Sequence, residues 1–226
     1  MRAATPPVIA IDGPAASGKG TIAKQAAQFL GFRYLDSGAL YRLVALKATR
    51  VGIPPDDEGA LATLAAALNV SFDADVVRLD GDDVTTAIRT EVVSDAASRL
   101  APFPAVRAAL LERQRSFRQW PGLVAEGRDM ATIVFPDAAL KVFVTASPEE
   151  RARRRYNQLI EKGNSIRLDS LLGDIRERDA RDSTRATAPL RPATGALILD
   201  TTDLTIDAAT AFVVEKYRAL AAAERR

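Results

Sequence analysis

Val8-Ile9-Ala10-Ile11-Asp12-Gly13-Pro14-Ala15-Ala16-Ser17-Gly18-Lys19-Gly20-Thr21 decides how this chain is read. Four apolar residues form a strand-length run, a glycine-bounded loop follows, and Thr21 leads into an alanine-rich helical stretch. Gly13, Gly18 and Lys19 stand at the offsets of G-x-x-x-x-G-K-[ST], in the strand-to-helix setting that this pattern requires. Such a loop curls so that successive backbone N–H groups face an anion. The helix behind it adds a partial positive charge, and the lysine reaches the outer phosphates of a nucleotide. Residues Gly13 to Thr21 are therefore the expected phosphate cradle. One position departs from the pattern: Gly20 replaces the serine or threonine that would ligate magnesium. A metal would then have to use Thr21, waters and phosphates, or a carboxylate such as Asp36 or Glu126.

Outward from this loop, further strand-like runs occur at Phe32–Leu35, Leu123–Ala125, Leu140–Val144 and Leu197–Leu199, with helical stretches between them. That alternation predicts an α/β fold with a parallel sheet. Gly31 and Gly52 mark helix ends. Ser147-Pro148-Glu149-Glu150 marks a helix start with a cap, a proline in the first turn and two acids, and a last helix starts near Ile206. The region between Gly52 and Pro121 breaks the alternation. After a helical stretch it carries short runs at Val70–Phe72, Val76–Leu79 and Val84, with Asp80-Gly81 as a hairpin turn, then an amphipathic stretch over Val106–Trp120. It reads as a small antiparallel insertion.

With 226 residues, the chain has room for one substantial core and a small insertion. The absence of cysteine excludes a disulfide framework, a thiolate nucleophile and a Cys-ligated zinc site, and it fits a reducing cytoplasm. The absence of histidine excludes a Ser-His-Asp triad and the commonest general base. A net charge of +2 is too balanced for non-specific nucleic-acid or membrane binding. Neither a signal-peptide pattern nor a membrane-length apolar run is present, and a monomer is expected. Of the 31 basic residues only six are lysine. Arginine is suited to bidentate phosphate recognition, so where the guanidinium groups fall matters.

They cluster with other polar residues in four segments. Asp36-Ser37-Gly38-Ala39-Leu40-Tyr41-Arg42 and Glu126-Gly127-Arg128-Asp129 each follow a strand, at the carboxyl edge where ligands of open α/β sheets bind. The other two are Arg151–Arg155 and Arg176–Arg185. In the latter, Arg178, Arg181, Asp182 and Arg185 are spaced i, i+3, i+4, i+7, so a helix would set three guanidinium groups on one face. Such a face repels itself unless anions neutralise it. Beside a phosphate loop, it suits phosphoryl transfer.

Taken together, these segments resemble the bacterial cytidylate kinases. The resemblance rests on Ile11-Asp12-Gly13-Pro14 through Gly18-Lys19, Leu35–Ala39 through Tyr41-Arg42, Gly127-Arg128-Asp129, Val134–Ala138, Glu150-Arg151-Ala152, and Arg178-Asp179 through Arg181-Asp182, Arg185 and Ala188-Pro189-Leu190. It implies the nucleoside monophosphate kinase fold: a five-stranded parallel sheet flanked by helices, with an enlarged monophosphate-binding insertion and a short helical lid. The corresponding parts are a core at about 1–36, 122–150 and 190–226, an insertion at about 37–121, and a lid with flanking helices at about 151–189. The implied reaction moves the γ-phosphoryl group of ATP, held with Mg2+ by residues 13–21 and Arg154, to CMP or dCMP. By the same resemblance Ser98, Arg107 and Asp129 read cytosine, Arg178 and Asp182 reach the sugar, and Ser37, Arg42, Arg128 and Arg185 hold phosphates. Lys19, Arg128, Arg178 and Arg185 form the implied catalytic set. Ala131 departs from the glycine usual after Gly-Arg-Asp.

The missing histidine fits this chemistry. A phosphate monoester has a second pKa of about 6, so its oxygen is already a nucleophile at neutral pH. Positioning and charge stabilisation then carry catalysis. Other P-loop kinases with a different acceptor, and an ATP-driven switch without transfer, remain as alternatives on the sequence alone.

Overall fold

In the computed structural model, which describes residues 5–73, 76–161, 163 and 165–223, the chain divides into two compact units, Met1–Leu35 with Phe117–Arg226, and Asp36–Ser116. In chain order the elements are β1 (Val8–Asp12), α1 (Lys19–Leu30), β2 (Arg33–Asp36), α2 (Ser37–Val51), α3 (Glu58–Ala66), β3 (Val70–Asp73), β4 (Val76–Leu79), β5 (Asp82–Asp83), α4 (Glu91–Leu100), α5 (Pro104–Ser116), β6 (Leu123–Gly127), β7 (Leu140–Thr145), α6 (Pro148–Glu161), α7 (Leu168–Thr184), β8 (Leu197–Asp200) and α8 (Ile206–Ala223).

The first unit is built on a five-stranded parallel sheet of order β2-β6-β1-β7-β8. All five residues of β1 and all five of β6 are buried, as an inner strand covered on both faces requires. Register places Ile9 beside Val124 and Leu140, and Asp12 beside Gly127 and Phe143. Each core strand runs one or two residues past the apolar run seen in sequence, into Asp12, Asp36, Gly127, Thr145 and Asp200. Ladder hydrogen bonds use the backbone, so they carry these mostly polar residues to the carboxyl edge of the sheet. Ile22, Ala23 and Ala26 of α1 and Ala209, Val213 and Val214 of α8 close one core with Ile9, Ile11 and Val142. Phe32 and Tyr217 meet edge to face at 5.3 Å beside it. A separate small core of Ala152, Leu159, Leu171 and Ile175 joins α6 to α7.

The second unit buries Leu40, Leu43 and Val44 of α2, Leu61 and Leu64 of α3, and Val106 and Leu110 of α5. Its antiparallel sheet has the order β3-β4-β5. Asp80 and Gly81, both with positive φ (53° and 95°), make the two-residue turn that the sequence signals. The amphipathic stretch read over Val106–Trp120 is shorter as a helix: α5 ends at Ser116, and Trp120 lies outside it, 59% exposed. Pro121 keeps Trp120 out of a helix, since the residue before a proline is disfavoured there. Glycine caps at Gly31 and Gly52, and Ser147 Oγ accepting from Glu150 N at 3.2 Å, match the expected boundaries.

Candidate active site

Strand β1 delivers the chain to Gly13, where a side chain is impossible: a Cβ there would lie 2.0 Å from the carbonyl oxygen of Val144 in β7. Gly18 caps α1 with a φ of 86°. Between them Pro14, Ala15, Ala16 and Ser17 turn back, with Ala16 left-handed at φ 57°. Lys19 opens α1 and is buried, not the exposed side chain that a loop lysine suggests. Its Nζ donates to the Pro14 carbonyl at 3.3 Å and lies 3.6 Å from Glu126 Oε2. The Ser17 hydroxyl is buried without a hydrogen-bond partner among the described residues.

Two late arginines hold the far side of this loop. Arg151 donates to the Ala15 carbonyl at 3.3 Å. The Ser17 carbonyl accepts from Arg154 Nη1 at 3.4 Å and from Thr201 Oγ1 at 3.1 Å. Arg154 also donates to the Thr201 carbonyl and, through Nε, to Glu150 at 2.9 Å. The sequence marks Arg151–Arg155 as a polar segment, with Arg154 in the ATP set by resemblance, and does not single out Thr201. Nothing in the Thr201-Thr202 pair after a strand signals that the Thr201 hydroxyl will hold a loop 184 residues away.

Glu126, next to last in β6, occupies the space a side chain at position 20 would use: a Cβ on Gly20 would stand 3.2 Å from Glu126 Oε1. A carboxylate oxygen therefore stands next to the position that lacks the hydroxyl, and this hard oxygen donor fits Mg2+. Thr21 is exposed one residue further on. Asp36 has both oxygens engaged in capping α2, with Oδ1 accepting from Ala39 N at 3.0 Å and Oδ2 from Arg42 at 2.6 Å. Among the described residues no group of three or more metal-ligating side chains exists. One carboxylate with waters and nucleotide phosphates is the arrangement Mg2+ commonly takes.

After β6 come Arg128 and the buried Asp129, then a single turn of π-helix over Met130–Val134. Its i→i+5 bonds run from Val134 N to Asp129 O (3.2 Å) and from Phe135 N to Met130 O (2.7 Å). Such turns occur often at functional sites. Arg128 Nε donates to Asp182 Oδ2 at 2.7 Å. Burial opposes charge on Asp182, but Arg128, with Arg178 and Arg185 beyond it, holds the carboxyl below its ordinary range. The one-face reading of α7 needs correction on two points. Arg181 turns to Glu177, at 2.7 Å. Arg185 lies just past the last helical residue, where extended backbone lets its Nε donate to the Ala188 carbonyl at 2.6 Å.

Within the second unit, Ser37 begins α2 and is buried, and Arg42 follows one turn later. Arg107 of α5 lies over the Tyr41 ring, 6.0 Å from its centre, and donates to the Ala101 carbonyl at 3.1 Å. Ser98 of α4 is 7% exposed, and its hydroxyl has no hydrogen-bond partner among the described residues.

Comparison with known proteins adds the family. A family model described as cytidylate kinase matches residues 9–219. The cytidylate kinase of Paraburkholderia phymatum is 58% identical over 214 residues, covering 95% of this chain and 94% of that protein. That of Bordetella bronchiseptica is 60% identical over 213 residues, covering 94% and 96%. Among solved structures, an uncharacterized protein from Eubacterium ventriosum shares the fold with a TM-score of 0.53 at 11% identity, over 94% of this chain and 98% of that one.

Proposed function

The chain belongs to the cytidylate kinase family, and from that premise we propose that it transfers the γ-phosphoryl group of ATP to CMP or dCMP, giving CDP or dCDP and ADP. The observation that carries the proposal is the Lys19–Glu126 pair at 3.6 Å, which joins the phosphate loop to the strand leading into Arg128 and Asp129.

The loop from Gly13 to Thr21 binds the phosphates of ATP, with Lys19 on the outer ones. Arg154 contributes to ATP binding by fixing the Ser17 carbonyl and Thr201. Glu126 and Thr21 hold Mg2+, which when bound neutralises charge on the transferring group. Residues of the insertion at about 37–121 take the acceptor: Ser37 and Arg42 its phosphate, Ser98 and Arg107 its base. Asp129 accepts from the cytosine N4 amine, while Arg178 and Asp182 reach the sugar. The segment at about 151–189 serves as the lid that excludes water from the transfer.

The acceptor phosphate needs no base to ionise it at neutral pH. The barrier is repulsion between two anions, and Lys19, Arg128, Arg178 and Arg185 lower it by spreading the charge of the transferring group. Uracil would turn O4, an acceptor, toward the Asp129 carboxylate. Unpaired buried polar groups cost roughly 1 to 3 kcal/mol each, so CMP should exceed UMP by at least ~10² in specificity constant. The reading is of a monomer acting on free nucleotides, and the net charge of +2 gives no general attraction to nucleic acid or membrane.

An ADP-release assay with CMP, dCMP, UMP, dTMP, AMP and GMP tests this. Activity confined to the cytidine nucleotides is expected. Equal rates on another acceptor would replace the proposal with a kinase of different specificity.

A further inference from the structure

Asp12 is an unusual occupant of its position. It is the last residue of an otherwise apolar inner strand, 2% exposed, with Gly13 of the phosphate loop directly after it. Its carboxylate is used in full by one neighbour: Oδ1 accepts from Met130 N and Oδ2 from Ala131 N, both at 2.8 Å. These are the first two N–H groups of the π-turn. Helix-start N–H groups lack partners of their own, and buried they would be costly. Parallel pairing holds the Asp12 backbone beside Gly127. The carboxylate is thus anchored on one side of Arg128 and Asp129, and the turn it grips begins on the other.

From this geometry we infer that Asp12 is a positioning residue for the acceptor: by holding the Met130 and Ala131 N–H groups it sets where Asp129 and Arg128 point, and thereby the choice of base. The inference rests on the proposed roles of those two residues. A carboxylate suits the task because it presents two acceptors to two donors. Asparagine would present one acceptor and one amide donor, so one backbone N–H would face another donor. Burial pushes the Asp12 carboxyl up to about 7, against the pull of these two N–H groups. An uncharged hydrophobic side chain would avoid that penalty, which fits retention of the carboxylate for what it holds. The same residue precedes the phosphate loop, so its effect on ATP has to be separated from its effect on CMP.

Steady-state kinetics of Asp12→Asn and Asp12→Glu, with CMP, UMP and ATP varied separately, make that separation, and ATP binding by calorimetry serves as the check that the loop is intact. Expected for Asp12→Asn is a KM for CMP raised ~10-fold or more, a KM for ATP within about twofold of wild type, and a CMP-to-UMP ratio narrowed at least ~5-fold. Equal losses for ATP and CMP would make Asp12 a prop of the phosphate loop and overturn the inference. So would loss of ATP binding in both variants, which would make it part of the framework. Asp129→Asn measured alongside distinguishes the two readings. If Asp129→Asn shifts the ratio and Asp12→Asn changes neither the ratio nor the KM for CMP, base reading stands and the positioning role falls. If Asp129→Asn leaves the ratio unchanged, base reading by Asp129 falls. A CMP-specific KM effect in Asp12→Asn would then uphold positioning of the acceptor through Arg128, and the part of the inference that concerns the choice of base would fall.

Discussion

Arg151 of α6 is clamped to Asp179 of α7 through both terminal nitrogens, at 2.9 and 2.6 Å, while the same guanidinium donates to the Ala146 and Ala15 carbonyls. It is 3% exposed. One arginine therefore joins the phosphate loop to the helix that carries Arg178 and Asp182. The planar fork of arginine makes four such bonds in one plane, which an ammonium cannot.

Arg151→Met should destabilise the protein by about 2 to 3 kcal/mol, below the full cost of orphaning a buried charge because Asp179 is partly exposed. It should also weaken ATP binding, since the Ala15 carbonyl loses its donor. Arg151→Lys should recover less than half of either effect. Denaturant titration and ATP calorimetry on both variants check this, and full rescue by lysine would show that charge alone matters at the position.

Lys19→Met keeps the length and most of the volume of a buried side chain while removing its charge. Turnover should fall by about 10² or more, with a cooperative thermal transition retained. Single-turnover measurements at saturating ATP give the chemical step directly. A folded variant within threefold of wild type would remove Lys19 from the charge-spreading set.

Ser98→Ala tests whether a buried, unpartnered hydroxyl waits for a ligand. Removing a polar group that has no partner should leave the ligand-free protein unchanged or slightly more stable, by up to about 1 kcal/mol. If the hydroxyl hydrogen-bonds the acceptor, the KM for CMP should nevertheless rise ~5- to 20-fold while that for ATP stays put. A stability loss with unchanged kinetics would make Ser98 a structural residue.

The Asp12 carboxyl gives a signed pH dependence. Its native value of about 7 lies above the ordinary 3.8, through burial and the Asp129 charge, against the Met130 and Ala131 N–H groups and Arg128. The folded state binds this proton more tightly than the unfolded one, so the contribution is fully present below about pH 3.8 and is lost as pH rises through 7. Relative to Asp12→Asn, wild type should lose about 4 kcal/mol over that window, at roughly 1.4 kcal/mol per unit. Chemical denaturation of both proteins from pH 4 to 8 measures the difference. A flat difference would show that Asp12 titrates near its ordinary value when folded.

How much of this was legible beforehand follows from how local each signal is. The phosphate loop, the strand runs, the Asp80-Gly81 turn and the glycine helix ends are written in consecutive residues, because backbone conformation and ladder pairing respond to near neighbours. Arg42, Arg128, Asp129 and Asp182 were nameable because they lie within motifs. What no stretch of sequence states is how the arginines divide their labour. Arg151 and Arg154 look like Arg178 and Arg185 as members of a charge run, yet Arg151 and Arg154 reach carbonyls of the phosphate loop itself and serve as its struts. Only packing decides this, because a guanidinium takes its role from whichever acceptors the fold brings within about 3 Å. The same holds for Glu126, which fills the space left by Gly20, and for Asp12, whose two partners lie 118 and 119 residues away. Chemistry that depends on one side chain's type was readable from the sequence, whereas chemistry that depends on what stands opposite it waited for the tertiary structure.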